Sequence, residues 1–313
     1  ETMPNGQGYD CSFGHMGGCI DNWSLFFYWN GPNRHDLWLN GDHIWRDGEF
    51  FPDQMVEHGH AFIEANKDKP FFMYWAINLP HYPLQGTDKW RKKYAHLPAP
   101  RRMYNAFIST MDESIGRLLA KLDEENLREK TIVIFQSDHG HSHEERTFGG
   151  GGSAGPYRGA KFSLFEGGIR VPAIISWPGH VPEGEVRDQM GTACDWYPTV
   201  AHFCGVKLPE RKLDGKSLAE VIASDDAASP HQVFHWQSGG GRTPQWAVRD
   251  GDWKLIGNPR DTSNKAPIGK DDQLFLVNLG EDVSEMKNLA AANAGVVERL
   301  KKLHDDWSVE VSN

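Results

Sequence analysis

The 313-residue sequence has few cysteines, little positive charge and no long apolar run. Its four cysteines form no Cys-x-x-Cys pair, so neither a zinc knuckle nor a thioredoxin-like redox motif is supported. Lysine and arginine number 33 against 43 acidic residues, and the net charge of −10 disfavours nucleic acid, which needs a basic face. No apolar stretch approaches the roughly 18 residues of a membrane helix. We therefore expect small or neutral partners, no nucleic acid and no membrane span.

The rest of the composition is that of a folded protein large enough for two domains, with 39% hydrophobic and 24% charged residues. Residues 1–6 do not resemble a signal peptide, and we expect the gene to begin upstream of them. If Cys194 and Cys204 share one helix, they lie about 15 Å apart, beyond the reach of a disulfide. The sequence leaves the redox state of the cysteines open.

Apolar runs alternate with a helical pattern in the first part of the chain. Residues 71–77 and 131–135 are continuous apolar runs, typical of strands covered on both faces in a parallel sheet. Residues 171–177 predict a third strand, with Pro172 near its start, where proline is tolerated. An apolar stripe at three-and-four spacing predicts a long helix between the first two runs, and it comprises Met103, Phe107, Ile108, Met111, Ile115, Leu118, Leu119 and Leu122. We expect an α/β fold with a mixed, largely parallel central sheet flanked by helices.

The pattern changes near residue 225. Short strand patterns separated by turn residues indicate a smaller antiparallel sheet, and they cover residues 232–236, 246–249, 253–256 and 274–277. A closing helix follows, with Leu300 and Trp307 on its apolar face. We therefore predict an α/β domain over residues 1–225 and a C-terminal antiparallel subdomain over residues 226–313.

The sequence SDHG at 137–140 follows directly on the predicted strand 131–135. In an open α/β sheet, ligands bind beyond the carboxyl ends of the strands, and Gly140 gives the turn that lets Asp138 and His139 reach one site. A carboxylate is a natural ligand for a hard cation, but an aspartate here can equally cap a turn. For this motif alone the two interpretations have equal weight.

Other motifs lie before and after the SDHG motif along the chain. The sequence PHYP at 80–83 ends another predicted strand, and KFSLFEGGIRVP at 161–172 follows the SDHG motif. With GYD at 8–10 near the start, these motifs resemble the formylglycine-dependent sulfatases of the alkaline phosphatase superfamily, over essentially the whole chain. The resemblance implies an alkaline phosphatase-like fold and a sulfuric ester hydrolase that uses calcium.

The resemblance also implies roles for four residues. Lys161 matches the lysine that binds the substrate sulfate, and His81 matches the histidine that protonates the leaving alcohol, a task suited to a group titrating near neutrality. Asp138 matches a calcium ligand. His139 occupies the neighbouring metal position, for which its nitrogen is the poorer donor.

The family's nucleophile, a Cys or Ser matured to formylglycine in a C/S-x-P/A-x-R motif, has no counterpart in this sequence. We therefore expect the nucleophile in an N-terminal segment lost from this chain or supplied as a separate chain. Family resemblance also predicts a periplasmic or secreted protein.

Other conspicuous residues allow a structural and a functional interpretation. His141 and His143 fit a solvated loop better than a metal site. Glu166 and Arg170 are predicted to be structural, as an ion pair or as caps that hold the Lys161 segment. The glycine run 149–152 fits a mobile loop better than an anion nest. A buried cluster fits better than a sugar platform for the aromatic residues Trp23, Phe26, Phe27, Tyr28 and Trp29. Candidate substrate contacts in the C-terminal part are His235, Trp236 and Arg242.

The sequence thus predicts hydrolysis of sulfate esters, on a carbohydrate or a small aryl sulfate. One alternative is a phosphoesterase of the same superfamily, which would need further aspartate and histidine ligands for a second metal. Another alternative is a non-catalytic sulfatase fragment, for which the missing nucleophile motif is the best argument.

Overall fold

The computed structural model describes residues 2–29, 31–240, 243–266, 268–270 and 272–312. The chain divides into a first unit, Glu1–Thr131 with Glu144–Gly152, and a second unit, Ile132–His143 with Ser153–Asn313. The predicted boundary near residue 225 falls inside the second unit, so the division into residues 1–225 and 226–313 stays a prediction.

Helices and strands alternate along the chain. The α-helices are α1 Phe51–Asn66, α2 Asp88–Lys93, α3 Arg101–Glu124, α4 Glu166–Ile169, α5 Trp196–Phe203, α6 Ala219–Ala223 and α7 Ala294–Ser312. The strands are β1 Phe13–Gly14, β2 Phe26–Phe27, β3 Arg34–His35, β4 Trp38–Leu39, β5 Asp42–His43, β6 Val133–Gln136, β7 Ala173–Ser176, β8 Val233–Ser238, β9 Gln245–Asp250, β10 Trp253–Gly257 and β11 Leu274–Asn278. Short 3₁₀ helices cover Pro4–Gln7, Arg128–Lys130, Glu145–Thr147, Ala193–Asp195 and Ala290–Ala292.

In the first unit, α1 packs against α3, which confirms the long helix predicted between the apolar runs. A Cβ atom at Gly59 of α1 would lie 2.7 Å from Leu118 Cδ1, so glycine permits this close approach. The most buried face of α3 includes Ala106, Phe107 and Thr110, whereas much of the predicted apolar stripe is only half-buried. Thr110 is satisfied there because its hydroxyl donates to the Ala106 carbonyl over 2.9 Å.

The predicted strands at 131–135 and 171–177 are confirmed as β6 and β7, which pair with Phe135 opposite Ile174. Their pairing is antiparallel, as is every strand pair in the described ranges, and residues 71–77 are not assigned to a strand. The predicted parallel pairing is therefore not found among the described residues. The residues of β6 are only half-buried, and Ala173 and Ile174 of β7 are exposed, so these apolar runs record neither burial on both faces nor the direction of a strand.

The predicted C-terminal antiparallel sheet is confirmed, with strand order β11-β10-β9-β8. Alternation divides its side chains: Val248 and Leu255 join Leu300 of α7 in one core, while Ala247 and Ile256 belong to another core on the opposite face. That second core also contains Leu164 and Phe165, so the sheet supports the segment that follows Lys161.

None of the four cysteines, all of which lie in the described ranges, forms a disulfide. Within the described ranges, no helix combines the length and the apolar character that crossing a bilayer requires.

Candidate active site

The SDHG loop leaves the end of β6 and turns sharply. Asp138 is strongly exposed, and its carboxylate accepts the backbone N–H of His139 over 3.0 Å. The His139 Nε2 atom lies 3.1 Å from the same carboxylate, and Nδ1 lies 2.9 Å from the Gly140 carbonyl oxygen. Asp138 and His139 are therefore brought together, with the aspartate oxygens facing solvent.

These donors make only part of a calcium site. Calcium takes about six to eight oxygen ligands, and Asp138 supplies one carboxylate. Among the residues that the structure describes, no group of three or more histidine, cysteine, aspartate or glutamate side chains has a metal-binding arrangement. The described residues alone do not fit a complete calcium site.

The Lys161 loop is fastened to the SDHG loop through the backbone. The Lys161 N–H donates to the His141 carbonyl over 2.8 Å, and the Gly140 N–H donates to the Gly168 carbonyl over 2.9 Å. A Cβ atom at Gly140 would lie 2.0 Å from the Gly167 carbonyl oxygen, so only glycine allows this contact. The second unit therefore holds Asp138, His139 and Lys161 on two adjoining loops.

A buried charge network supports the Lys161 loop. The Lys254 ammonium on β10 lies 2.7 Å from Glu166 and 2.9 Å from Glu285, and all three side chains are buried. Burial alone would raise the pKa of Glu166, but Lys254 and Arg170 outweigh it and lower that pKa to about 2. Burial raises the pKa of Glu285. The predicted Glu166–Arg170 ion pair is confirmed at 2.7 Å.

A second buried cation, Arg158, ties the start of the same loop to the C-terminal part of the chain. Its guanidinium donates to Asp261 over 2.8 Å and to the Glu285 and Ala266 carbonyls over 2.9 Å each. Sequence reasoning missed Arg158, Lys254 and Glu285, because nothing local distinguishes them from surface charges. Their partners lie too far along the chain for a motif to reveal them.

His81 lies on a loop of the first unit that several hydrogen bonds hold in place. Its Nδ1 lies 2.9 Å from the Tyr82 carbonyl oxygen, which also accepts the Tyr28 hydroxyl. Since a carbonyl only accepts, His81 Nδ1 carries the hydrogen, and Nε2 is the nitrogen whose protonation changes. Further along the loop, Gln85 accepts from the Asn22 backbone over 2.9 Å. The Tyr28 hydroxyl thus helps hold the carbonyl that His81 contacts.

The remaining histidines and the C-terminal residues that the sequence singled out lie in different environments. His141 and His143 are half-buried, with their Nε2 atoms 2.9 Å apart. His235 stacks on Trp307 of α7 with ring centres 5.0 Å apart, whereas Trp236 packs against the core that contains Phe165. The roles of His235 and Trp236 in substrate binding stay predictions, and Arg242 lies outside the described residues.

The glycine run is more structured than the sequence indicated, whereas the aromatic cluster is less buried than predicted. A Cβ atom at Gly151 would lie 2.4 Å from Tyr104 Cβ, and Arg101 donates to the Gly151 carbonyl over 2.6 Å, so this part of the run packs on α3. In the aromatic cluster, Phe27 is buried, but Trp23 and Trp29 are exposed.

Solved structures share this fold. The structure of Ps i-CgsB in complex with k-i-k-neocarrahexaose has a TM-score of 0.83 and 25% identity, and the match covers 98% of this chain and 68% of that chain. A second structure, of a protein in complex with its substrate D-glucosamine-2-N,6-O-disulfate, has a TM-score of 0.68 at 18% identity over 96% of this chain and 76% of that chain, which shows the fold alone. The α/β, alkaline phosphatase-like class is confirmed.

Two family models match the chain. The model described as Sulfatase matches residues 3–206, and the model described as N-sulphoglucosamine sulphohydrolase, C-terminal, matches residues 159–307. Because the first match covers more than half of the sequence, the chain belongs to the sulfatase family.

Named relatives agree with the family. Steryl-sulfatase of Mus musculus is 31% identical over 227 residues, which cover 69% of this chain and 34% of the relative. Arylsulfatase J of Mus musculus is 28% identical over 341 residues, which cover 96% of this chain and 56% of the relative. The chain therefore spans between about a third and about half of the length of these curated relatives.

Proposed function

We propose that the protein hydrolyses sulfate esters of carbohydrates or small aryl alcohols, as a member of a family of sulfuric ester hydrolases. The observation that carries the proposal is the backbone fastening of the Lys161 loop to the SDHG loop, which puts a cation and an acid–histidine pair on adjoining loops. Family resemblance further supports export to the periplasm or the medium.

The proposed chemistry assigns separate tasks to Lys161 and His81. The Lys161 ammonium stabilises negative charge on the sulfuryl oxygens as the ester bond breaks. His81 donates the proton on Nε2 to the departing alcohol oxygen, while Nδ1 stays bonded to the Tyr82 carbonyl. Formylglycine, where the full protein carries it, supplies the nucleophile. Asp138 would contribute one carboxylate to calcium, and no step here depends on that ion.

The proposal predicts that kcat/KM of two variants depends differently on the leaving group of the ester. Both variants are of the matured enzyme made from its complete reading frame. Lys161→Ala should lower kcat/KM for both alkyl and aryl sulfates by about 10²-fold or more, because developing charge loses its cation. His81→Ala should lower it by about 10²-fold for an alkyl sulfate and far less for an activated aryl sulfate, whose alcohol needs no proton to leave. Steady-state kinetics on the two esters measure both effects.

Matched controls are Lys207→Ala and His96→Ala, which remove exposed side chains and should leave both rates unchanged. Wild-type rates on the alkyl sulfate in both test variants would contradict the assignment. Faster turnover of an aryl phosphate than of the aryl sulfate would favour the phosphoesterase alternative, and turnover of neither ester would favour the non-catalytic one.

A further inference from the structure

An exposed tryptophan and an arginine meet beside the His81 loop. Trp29 is 45% exposed, and the Arg146 guanidinium carbon lies 4.7 Å from the centre of its ring. Both residues belong to the first unit. This geometry is a cation–π contact that keeps the planar guanidinium at the surface.

Short connections link this pair to His81. Trp29 follows Tyr28, whose hydroxyl donates to the Tyr82 carbonyl that His81 also contacts. The Tyr82 hydroxyl donates to Glu144 over 3.3 Å, and Glu144 lies two residues before Arg146. The rings of His81 and Tyr82 have their centres 4.2 Å apart. Trp29 and Arg146 are thus each tied to the residue next to His81.

Arg146 forms no ion pair with a carboxylate within the described residues. By contrast, Arg46 and Arg117 of the same unit contact the carboxylates of Glu57 and Asp53. An exposed guanidinium presents a fork of donors that matches a sulfate or a carboxylate. Because the net charge of the chain is −10, the chain as a whole repels anions. An exposed cation on it therefore attracts an anionic group to one specific place.

We propose that Trp29 and Arg146 form a subsite for the alcohol part of the substrate. One sugar ring packs against Trp29, and a second anionic substituent of that sugar, a sulfate or a carboxylate, binds Arg146. The inference rests on the proposed function: His81 protonates the leaving alcohol, so groups tied to its loop lie on the side where that alcohol departs. The preferred substrate is then a polyanionic saccharide rather than a small aryl sulfate.

The test compares kcat/KM for four substrates in the matured full-length enzyme and in Arg146→Gln. The substrates are an aryl monosulfate and three sulfated disaccharides whose leaving sugar carries a second sulfate, a carboxylate or no further charge. A lost charge-assisted hydrogen bond is worth about 1.5–3 kcal/mol, so the ratio of the dianionic disaccharide to the aryl monosulfate should fall by about 10-fold or more, mainly through KM. The anionic disaccharide with the larger fall identifies the group that Arg146 binds.

Lys93→Gln is the matched control, because it removes an exposed cation from another tryptophan, Trp90, with 4.8 Å between Nζ and the ring centre. It should leave every ratio unchanged. An Arg146→Gln enzyme that loses as much on the uncharged disaccharide as on the charged ones would overturn the subsite. Wild-type enzyme that cleaves no sulfate ester would instead refute the proposed function, so the two failures are distinguishable.

Discussion

At the scale of single residues, buried charges hold the Lys161 loop. Lys254 is fully buried between Glu166 and Glu285, and the Glu166 backbone N–H also donates to Glu285 over 2.5 Å. Breaking a buried ion pair by removing one partner costs about 3–5 kcal/mol, because the remaining charge stays desolvated. The network therefore links the position of Lys161 to residues far along the chain.

We expect Lys254→Met to lower the free energy of unfolding by about 3–5 kcal/mol, since it leaves Glu285 buried without a cation and Glu166 with Arg170 alone. Urea denaturation followed by tryptophan fluorescence measures this loss. Adding Glu285→Gln should recover part of it, because the second negative charge is then removed.

Lys302→Met is the control for that experiment. Lys302 is 74% exposed and pairs with Asp306 over 2.7 Å, so its loss should cost at most about 0.5 kcal/mol. Equal effects of Lys254→Met and Lys302→Met would show that the buried network does not stabilise the fold.

At the scale of elements, α7 packs on the C-terminal sheet through aromatic and histidine side chains. His304 stacks on Trp246 with ring centres 4.1 Å apart, and His235 stacks on Trp307. Burial, with a smaller effect of His304, lowers the pKa of His235 to about 4, and burial also lowers the pKa of His304. Both histidines are therefore held neutral where the helix meets the sheet.

This packing should make the protein sensitive to acid. A histidine with a folded-state pKa below its unfolded value of about 6.5 is charged first in the unfolded chain, so stability is lost as pH falls from about 6.5 toward about 4. Asp305 opposes this effect on His304, and Lys301 adds to it. Thermal unfolding midpoints measured from pH 7.5 to pH 4 should fall less steeply for His235→Phe, which keeps an aromatic ring against Trp307.

The exposed His96 gives the comparison, because His96→Phe should keep the wild-type pH dependence. The explanation fails if His235→Phe and the wild type lose stability in parallel over this range.

At the scale of the whole molecule, the first unit presents an apolar patch on the segment 71–77. Phe72 and Tyr74 are 65% and 72% exposed, and Tyr9 lies beside Phe72 with ring centres 6.3 Å apart. Neighbouring side chains in this segment are only half-exposed, so one face carries the patch. Contiguous apolar surface of this kind mediates association.

We expect a preparation of this 313-residue chain to self-associate at micromolar concentration. Light scattering and binding of a hydrophobic dye should both decrease in the Phe72→Ser/Tyr74→Ser double variant. Val186→Ser, which removes an isolated side chain that is 79% exposed, should change neither signal. A monomeric wild-type chain that melts cooperatively would contradict this expectation.

Local pattern was enough to predict some elements of this protein, although the strand predicted over residues 71–77 is not found. The strands β6 and β7 follow from continuous apolar runs, the helix α3 from the spacing of its apolar residues, and the C-terminal antiparallel sheet from short strand patterns separated by turn residues. The motifs around His81, Asp138 and Lys161 were equally readable, because each is contiguous in sequence.

Only the tertiary structure decided strand direction and the groups that support the site. A continuous apolar run is the same for either strand direction, so it could not show that β6 and β7 pair antiparallel. The Tyr28 hydroxyl meets the Tyr82 carbonyl 54 residues away, and Arg158 meets the Glu285 carbonyl 127 residues away. Such contacts arise when distant segments pack and their polar groups must be satisfied away from water, and no local pattern in the sequence records which segments will meet.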